Sequence, residues 1–577
     1  MLERINMRNI KKISLLLLLS TLVSCNNNPT SNITSDSTPN TSYSSSINDS
    51  DKKDPLYNGE TVLVSEIVKD NYGNHISVNG KDFLFIGSQI RVDAFMNCDK
   101  LTYEEVEFLF AEAAKLGVTV VQIPIEWAKI ELEQDKFDFT YLWYMLTFAN
   151  HYNLKIELLW FGTNMCGDSH SYTVPDYILR DGKTYPKFDA LRTGEYWNYY
   201  GVMWFLDFDN ENLMTRESNA ISQMMNYIYD FDSTHEGKKP VIGIQVLNEP
   251  DIFVRFRINQ YNVLSKLTGV QMSVEEGYKK ICASLDKLGQ TVKNSKYKVY
   301  TRVNFASSTG ADQISSGNGI YNGDDVKNAP EFVKRIYNLE GIDIVGDDSY
   351  NSSVKNIKGI ATMFSRIENN FGHIAENDGS YTNTPSLILA AASQHAGYSI
   401  YDLITSPFFV KNGSSGVDQG IMTYKNDNYT EFIYKQHYES TKNIINGLKE
   451  VSSIVYDISN DDFACFNIKN DYPSEKITQS INTTNVNINF NTSNGAIGFA
   501  LDTGNSLDMY FTSDSEVSLA NIDINTISVG HYKNDEFNTT EEVTNSNKIM
   551  VRANCLYHVT YSSNGKLTSS TWDNIGG

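Results

Sequence analysis

The chain has 577 residues, with 48 Lys and Arg against 70 Asp and Glu, and a formal net charge of −22 at pH 7. With a pI near 4.9 and no basic stripe, it repels a phosphate backbone, whose binding rests on Lys and Arg, so nucleic acid is excluded as a partner. A composition of 41% hydrophobic and 20% charged residues is globular rather than disordered, and at roughly 100–200 residues per domain the length admits two to four domains. The 35 Tyr, 28 Phe and 6 Trp give a Tyr excess suited to surfaces that are both apolar and hydrogen-bonding, which fits neutral polar ligands.

In chain order, Arg4, Arg8, Lys11 and Lys12 precede an apolar run from Ile13 to Val23. That run is too short for a spanning helix of about 20 residues and fits the hydrophobic region of a signal peptide. It ends Leu22-Val23-Ser24-Cys25, which resembles a bacterial lipobox; the resemblance implies cleavage before Cys25, lipid attachment to its thiol and an outward-facing, membrane-anchored protein. Residues 26–56, mostly Asn, Ser, Thr, Asp and Pro, bury no core and read as a flexible tether. The chain thus divides into a signal peptide (1–25), a linker (26–56), a catalytic region with a β lead-in (57–455) and an all-β region (456–577). Apart from Cys25, the cysteines are Cys98, Cys166, Cys282, Cys465 and Cys555. They form no CxxC pair, and the nine histidines show no HExxH, so neither a disulfide framework, a metal site nor a cofactor is expected.

From about residue 80, short apolar β-rich runs alternate with helical periodicities, the pattern of a parallel sheet with crossover helices. The first strand is expected at Phe83–Gly87. Thr102 and Glu105 cap a helix whose apolar face is Val106, Leu109, Phe110, Ala113 and Leu116, and Gly117 stops it. Val118–Ile125 is the second strand, a helix follows around Leu142–Ala149, and Lys155–Phe161 is the third strand. A long aromatic insertion comes next, with Trp160, Tyr172, Tyr177, Tyr196, Trp197, Tyr199, Tyr200, Trp204 and Phe205. Val241–Leu247 is the fourth strand, and Ser273 with Glu276 forms a capping box for the helix after it. Tyr297–Val303, Ile342–Gly346, Gly372–Ala375 and Gly397–Tyr401 are strands five to eight, with Pro385 near the start of the helix between the last two. A final helix is expected within 431–453. Eight strand–helix units over roughly 360 residues fit an α/β fold of the TIM-barrel, (β/α)₈, type. The rival open doubly wound sheet usually has a Gly-rich phosphate turn after its first strand, which Gly87-Ser88-Gln89-Ile90 lacks. Beyond about Asp461 the alternating strands and Asn-Gly turns predict a C-terminal all-β sandwich domain.

Function in such a barrel sits at the C-terminal strand ends. Those ends present Gln89 and Arg91, Glu126 and Trp127, Trp160 and Asn164, Asn248-Glu249-Pro250, Asn304, Asp347, Asp348 and Tyr350, Glu376 and Asn377, then Tyr401 and Asp402. Glycosidic cleavage needs two carboxylates, one to protonate the leaving oxygen and one to attack or stabilise an oxocarbenium-like centre. Strands four and seven face each other across the ring, so Glu249 and Glu376 are the expected pair, at about 5–5.5 Å if the enzyme retains configuration. Their mutual repulsion raises one pKa and supplies an acid at neutral pH. Glu368, Asp378 and Asp343 stand as alternatives to Glu376.

At these residues the chain resembles the clan of (β/α)₈ glycoside hydrolases with an acid/base Glu after strand four and a nucleophile Glu after strand seven. Val241-Ile-Gly-Ile-Gln-Val-Leu-Asn-Glu-Pro250 is similar to the Asn-Glu-Pro strand of that clan. The resemblance implies Glu249 as acid/base, Asn248 as donor to the sugar 2-hydroxyl, Glu376 in His373-Ile-Ala-Glu376 as nucleophile, and Tyr350 as the phenol that bonds it. Gln122-Ile-Pro-Ile-Glu-Trp-Ala-Lys-Ile-Glu131 through Phe137-Asp-Phe139 resembles the β-galactosidases of families 35 and 42, with Leu132 and Asp135 in place of that pattern's Pro and Gly. The implied activity is retaining hydrolysis of β-linked oligo- or polysaccharides without a cofactor, with Arg91, Glu126, Trp127, Trp160 and Asn164 as further substrate-binding candidates. The competing readings are a family 5-type endo-β-glucanase or mannanase, and a non-catalytic surface glycan-binding lipoprotein.

Overall fold

The computed structural model describes residues 53–563 except 164–172, 190–203, 252–272, 306–330, 413–417, 426–430, 469–476, 493–494 and 547. Cys25, Asn164 and most of the aromatic insertion lie outside the described residues. Eight parallel strands close into a barrel: β1 (Ile86–Gln89), β2 (Val120–Glu126), β3 (Lys155–Phe161), β4 (Val241–Val246), β5 (Tyr300–Phe305), β6 (Ile344–Asp348), β7 (His373–Asp378) and β8 (Gly397–Tyr401). Neighbours in sequence are neighbours in the ring, and β8 pairs with β1 through Ser399 beside Gly87. A main helix follows each strand, with shorter helices in some of the loops: α1 (Glu107–Leu116), α2 (Thr140–Tyr152), α3 (Glu211–Thr234), α4 (Val274–Lys293), α5 (Glu331–Ile336), α6 (Val354–Ser365), α7 (Thr384–Ala392) and α8 (Tyr438–Glu450). This is the (β/α)₈ barrel, and the buried strand residues that face its helices form one continuous core with them.

Four departures from expectation have local causes. Lys81–Phe83 pairs with Asn74–Val78 in a small antiparallel sheet, so the first barrel strand starts only at Ile86. The capping contacts of Thr102 and Glu105 form, but residues 103–106 turn once and α1 begins at Glu107. Tyr297–Lys298 pairs with Val62–Leu63, leaving Tyr300–Phe305 as the fifth barrel strand. Phe432–Tyr434, expected at the start of the last helix, is instead a strand paired with Met422–Tyr424. Gly117 stops α1 as expected: its φ of 95° is left-handed, which glycine adopts without a Cβ penalty.

The interior of the barrel floor is polar. Glu157 on β3 accepts from Arg302 Nε (2.8 Å) and Nη2 (2.7 Å), from Tyr300 Oη (3.0 Å) and from Gln122 Nε2 (2.6 Å). Burial alone raises a carboxyl pKa, but here the guanidinium outweighs it and holds Glu157 below its usual range. Tyr300 crosses the floor where a Cβ on Gly243 would come 2.1 Å from its ring, so that strand position admits only glycine.

Beyond the barrel, two antiparallel sheets stack into a sandwich. Its strands are β9 (Phe463–Ile468), β10 (Ile477–Asn482), β11 (Asn487–Thr492), β12 (Ala496–Asp502), β13 (Ser506–Phe511), β14 (Ser515–Ala520), β15 (Ile522–Lys533), β16 (Glu536–Val543), β17 (Lys548–Val551) and β18 (Leu556–Ser563). One sheet runs β9-β12-β13-β18-β15-β16 and the other β10-β11-β14-β17, with Phe466, Phe490 and Phe511 interlocked between them. The first sheet packs on the barrel's helices: Asn467 Nδ2 donates to Ser386 Oγ at 2.7 Å. Among the described residues no helix is long and apolar enough to cross a membrane.

Candidate active site

Four neighbouring strand ends, β4 to β7, build the barrel mouth. β4 runs into Leu247, Asn248 and Glu249, where Leu247 (φ 60°) and Glu249 (φ 41°) both hold left-handed backbone. Non-glycine residues visit that region at a cost, and such residues cluster where surrounding structure over-determines them. Here the over-determining residue is Asn304 at the end of β5. Its Oδ1 accepts from Glu249 N (2.8 Å), and its Nδ2 donates to Asn248 Oδ1 (2.8 Å) and to Asp348 Oδ2 (2.7 Å). Gln245 Nε2 adds a second donor to Asn248 Oδ1 at 2.9 Å. Asn248 and Glu249 are half-buried.

Across the ring, Glu376 lies within β7 and is buried, 8% exposed. Tyr350, also left-handed at φ 41°, donates its phenol to Glu376 Oε2 at 2.5 Å. Tyr350 is itself fixed by Tyr381 Oη bonding its carbonyl and by the edge of Tyr401 at 5.6 Å. Burial raises the pKa of Glu376, while the Tyr350 hydrogen bond, then Arg91 and Arg302, pull it back. Asp348 is pushed well above its usual range, by burial first and then by the charges of Glu376 and Glu249. Three carboxyls therefore share one field. Sequence reasoning expected repulsion to raise one member of a pair; it named Asp348 at the strand-six end but not as part of the site. The available signal was the Asp347-Asp348 doublet beside Tyr350.

The structure brings Asn248, Glu249, Tyr350 and Glu376 together at one mouth and sets Arg91 beside them. Arg91, 6% exposed, forks onto Asp93 through Nε (3.0 Å) and Nη2 (2.7 Å). Three candidates are placed elsewhere. Trp127 and Trp160 are fully buried, with their ring N–H groups committed to Glu131 Oε2 (2.7 Å) and Glu217 Oε1 (2.8 Å). Neither ring offers a face to a sugar; both pack the barrel's outer layers. Glu126 is buried at the end of β2 and lines a separate cavity. Of the alternatives to Glu376, Asp343 precedes β6 and bonds Thr301 N and Lys293 Nζ, and Glu368 is an exposed residue before β7. Both sit at the opposite barrel end. Asp378 shares β7 but caps the turn at Ser380 N at 2.8 Å. No cluster of metal-ligating side chains occurs among the described residues.

A family model described as a domain of unknown function, DUF4978, matches residues 280–473. No curated protein matches the sequence. Among solved structures, the chain is similar to the beta-glycosidase BGL167 at 13% identity, covering 63% of this chain and 96% of that one with a TM-score of 0.40. A family 1 b-glucosidase from Thermotoga maritima matches at 11% identity over 63% and 97%, TM-score 0.41. The exo-beta-1,4-mannosidase Op5Man5 from Opitutaceae bacterium strain TAV5 matches at 11% identity over 67% and 63%, TM-score 0.42.

Proposed function

We propose that this chain is a retaining glycoside hydrolase of β-linked sugars, with a β-galactoside as the favoured glycone. The observation that carries the reading is the opposed pair at the mouth. Glu376 is buried and bonded by a phenol, Glu249 is half-open, and both act on the same carboxyl of Asp348. In this reading Glu376 attacks the anomeric carbon. The Tyr350 hydrogen bond, with Arg91 and Arg302, favours its carboxylate form against the burial that raises its pKa. Glu249, reachable from solvent, protonates the departing glycosidic oxygen, then deprotonates the water that releases the sugar. Asn248, held by Gln245 and Asn304, presents its amide toward the sugar's 2-hydroxyl. Burial and the charges of both glutamates favour the neutral form of Asp348, which limits how much negative charge the mouth carries. The leader and Cys25 support export of this enzyme to the cell surface on a lipid anchor.

Stereochemistry tests the reading. A nucleophile on strand seven gives two inversions and a first-formed β-anomer; an inverting pair, which needs about 6.5–9.5 Å to admit water, gives the α-anomer. Following the anomeric proton by NMR in the first minutes of hydrolysis of nitrophenyl β-glycosides decides between them, and initial α-anomer overturns the proposal.

A further inference from the structure

Beside the mouth, a cavity of about 290 Å³ opens between the segment after β1, the end of β2 and the start of α2. Its walls include Asp93, Met96, Tyr103, Glu126, Leu132 and Tyr141, and none of Glu249, Tyr350 or Glu376. Glu126 is 3% exposed, and its Oε1 has no hydrogen-bond partner among the described residues. A buried carboxyl oxygen left without one is costly, and a ligand hydroxyl is the kind of donor that satisfies it. The charges around it nearly cancel, since Asp93 is forked by Arg91 and the cavity wall holds both Lys129 and Asp138. Burial and the neighbouring Asp93 hold Glu126 up at about 7, which further lowers the negative charge. The lining therefore suits a neutral polyol rather than an ion. The tyrosine walls are pre-set: Tyr103 stacks on Tyr144 at 4.7 Å, and Tyr141 Oη donates to Pro124 O. The volume lies at the bottom of the range of small-molecule sites, about 300–1,000 Å³, and admits one sugar ring.

Resting on the glycosidase reading above, we propose that this cavity is a second sugar subsite, so that the substrate is an oligosaccharide with a neutral unit held by Glu126 next to the bond that is cleaved. Arg91 links the two places, because its charge acts on both Glu126 and Glu376.

The test compares lactose, cellobiose and mannobiose with the β-fluorides of galactose, glucose and mannose, whose leaving group has no second sugar. Two variants are used: Glu126→Gln, and Leu132→Trp, which plugs the cavity from a rim residue that is 68% exposed and so leaves folding intact. The ratio of kcat/KM on the cleaved disaccharide to kcat/KM on its fluoride is expected to fall about tenfold in each variant, the scale of one hydrogen bond to a charged or buried group. A ratio unchanged in either variant, or a wild type that cleaves a fluoride and no disaccharide, overturns the subsite while the glycosidase reading stands. A wild type that cleaves no fluoride and no disaccharide overturns the glycosidase reading instead. Calorimetric titration with the three disaccharides then decides the cavity: binding lost in Leu132→Trp supports it, and no binding to the wild type overturns it.

Discussion

Replacing Tyr350 by Phe removes one hydroxyl and leaves the ring that packs against Tyr401. What is lost is a 2.5 Å hydrogen bond to Glu376 Oε2, of the charge-assisted kind that contributes about 1.5–3 kcal/mol. At 1.36 kcal/mol per unit, that raises the Glu376 pKa by about one to two units. Two readouts follow. In kcat/KM against pH, the acidic limb reports the free enzyme's essential carboxylate and moves up by the same one to two units. Stability changes independently of catalysis. Glu376 already has a raised pKa in the fold, so its ionisation opposes folding, and the stability it contributes at low pH is lost as pH rises past the unfolded value. The variant deepens that loss, so its thermal midpoint falls further below wild type at pH 8 than at pH 4.5. An acidic limb that stays in place, with equal midpoint losses at both pH values, refutes the assignment of Tyr350 as a group that lowers the Glu376 pKa.

Glu157→Gln leaves Arg302 charged and buried without its counterion, and removing one partner of such a pair costs about 3–5 kcal/mol. Denaturant midpoints measure this, and a Glu157→Gln/Arg302→Met double variant is expected to recover most of the loss; a single variant as stable as wild type refutes the pair's role. Cys25→Ser removes the thiol expected to carry lipid and is expected to shift the protein from the membrane to the soluble fraction on cell fractionation, whereas unchanged membrane partitioning refutes the anchor.

The barrel was legible because most of its strands announce themselves by unbroken apolar runs between turn signals. Lys155–Phe161 and Gly397–Tyr401 have the bounds read from sequence. The runs misled where polarity begins inside a strand. β6 continues through Asp347 and Asp348, and β7 through Glu376, Asn377 and Asp378, because the barrel interior supplies partners that solvent would otherwise supply. Apolar runs also overreached, as at Phe83, which belongs to a lead-in sheet. The sequence pattern expected no helix between the aromatic insertion and strand four, although Ile221, Met224, Met225 and Ile228 of α3 recur at helical spacing and Asn210 caps its start at Leu213 N. Its buried Glu217 explains Trp160: the carboxylate also takes Thr163 N at 2.9 Å, so the tryptophan serves the joint between β3 and α3 rather than a sugar. No local pattern announces that partnership, since the residues are 57 positions apart.

The same distinction accounts for how the mouth is held. Leu247, Glu249 and Tyr350 each break the local rule that side-chain-bearing residues avoid positive φ, at a cost of about 1–3 kcal/mol apiece. Relaxing any one of them re-aims a carboxyl or a phenol, so the strained backbone and the site geometry are one feature. The compensation comes from neighbouring strands and not from β4 or β6 alone. Asn304 on β5 ties Glu249 to Asp348, and Tyr381 beyond β7 ties Tyr350. The position of the Asn-Glu pair is thus set by strand five as much as by the strand that carries it. A barrel suits this because each strand end has a hydrogen-bonded neighbour on both sides. Violations of local preference that coincide with a polar, hydrogen-bonded cluster mark where a fold holds side chains for chemistry rather than for packing.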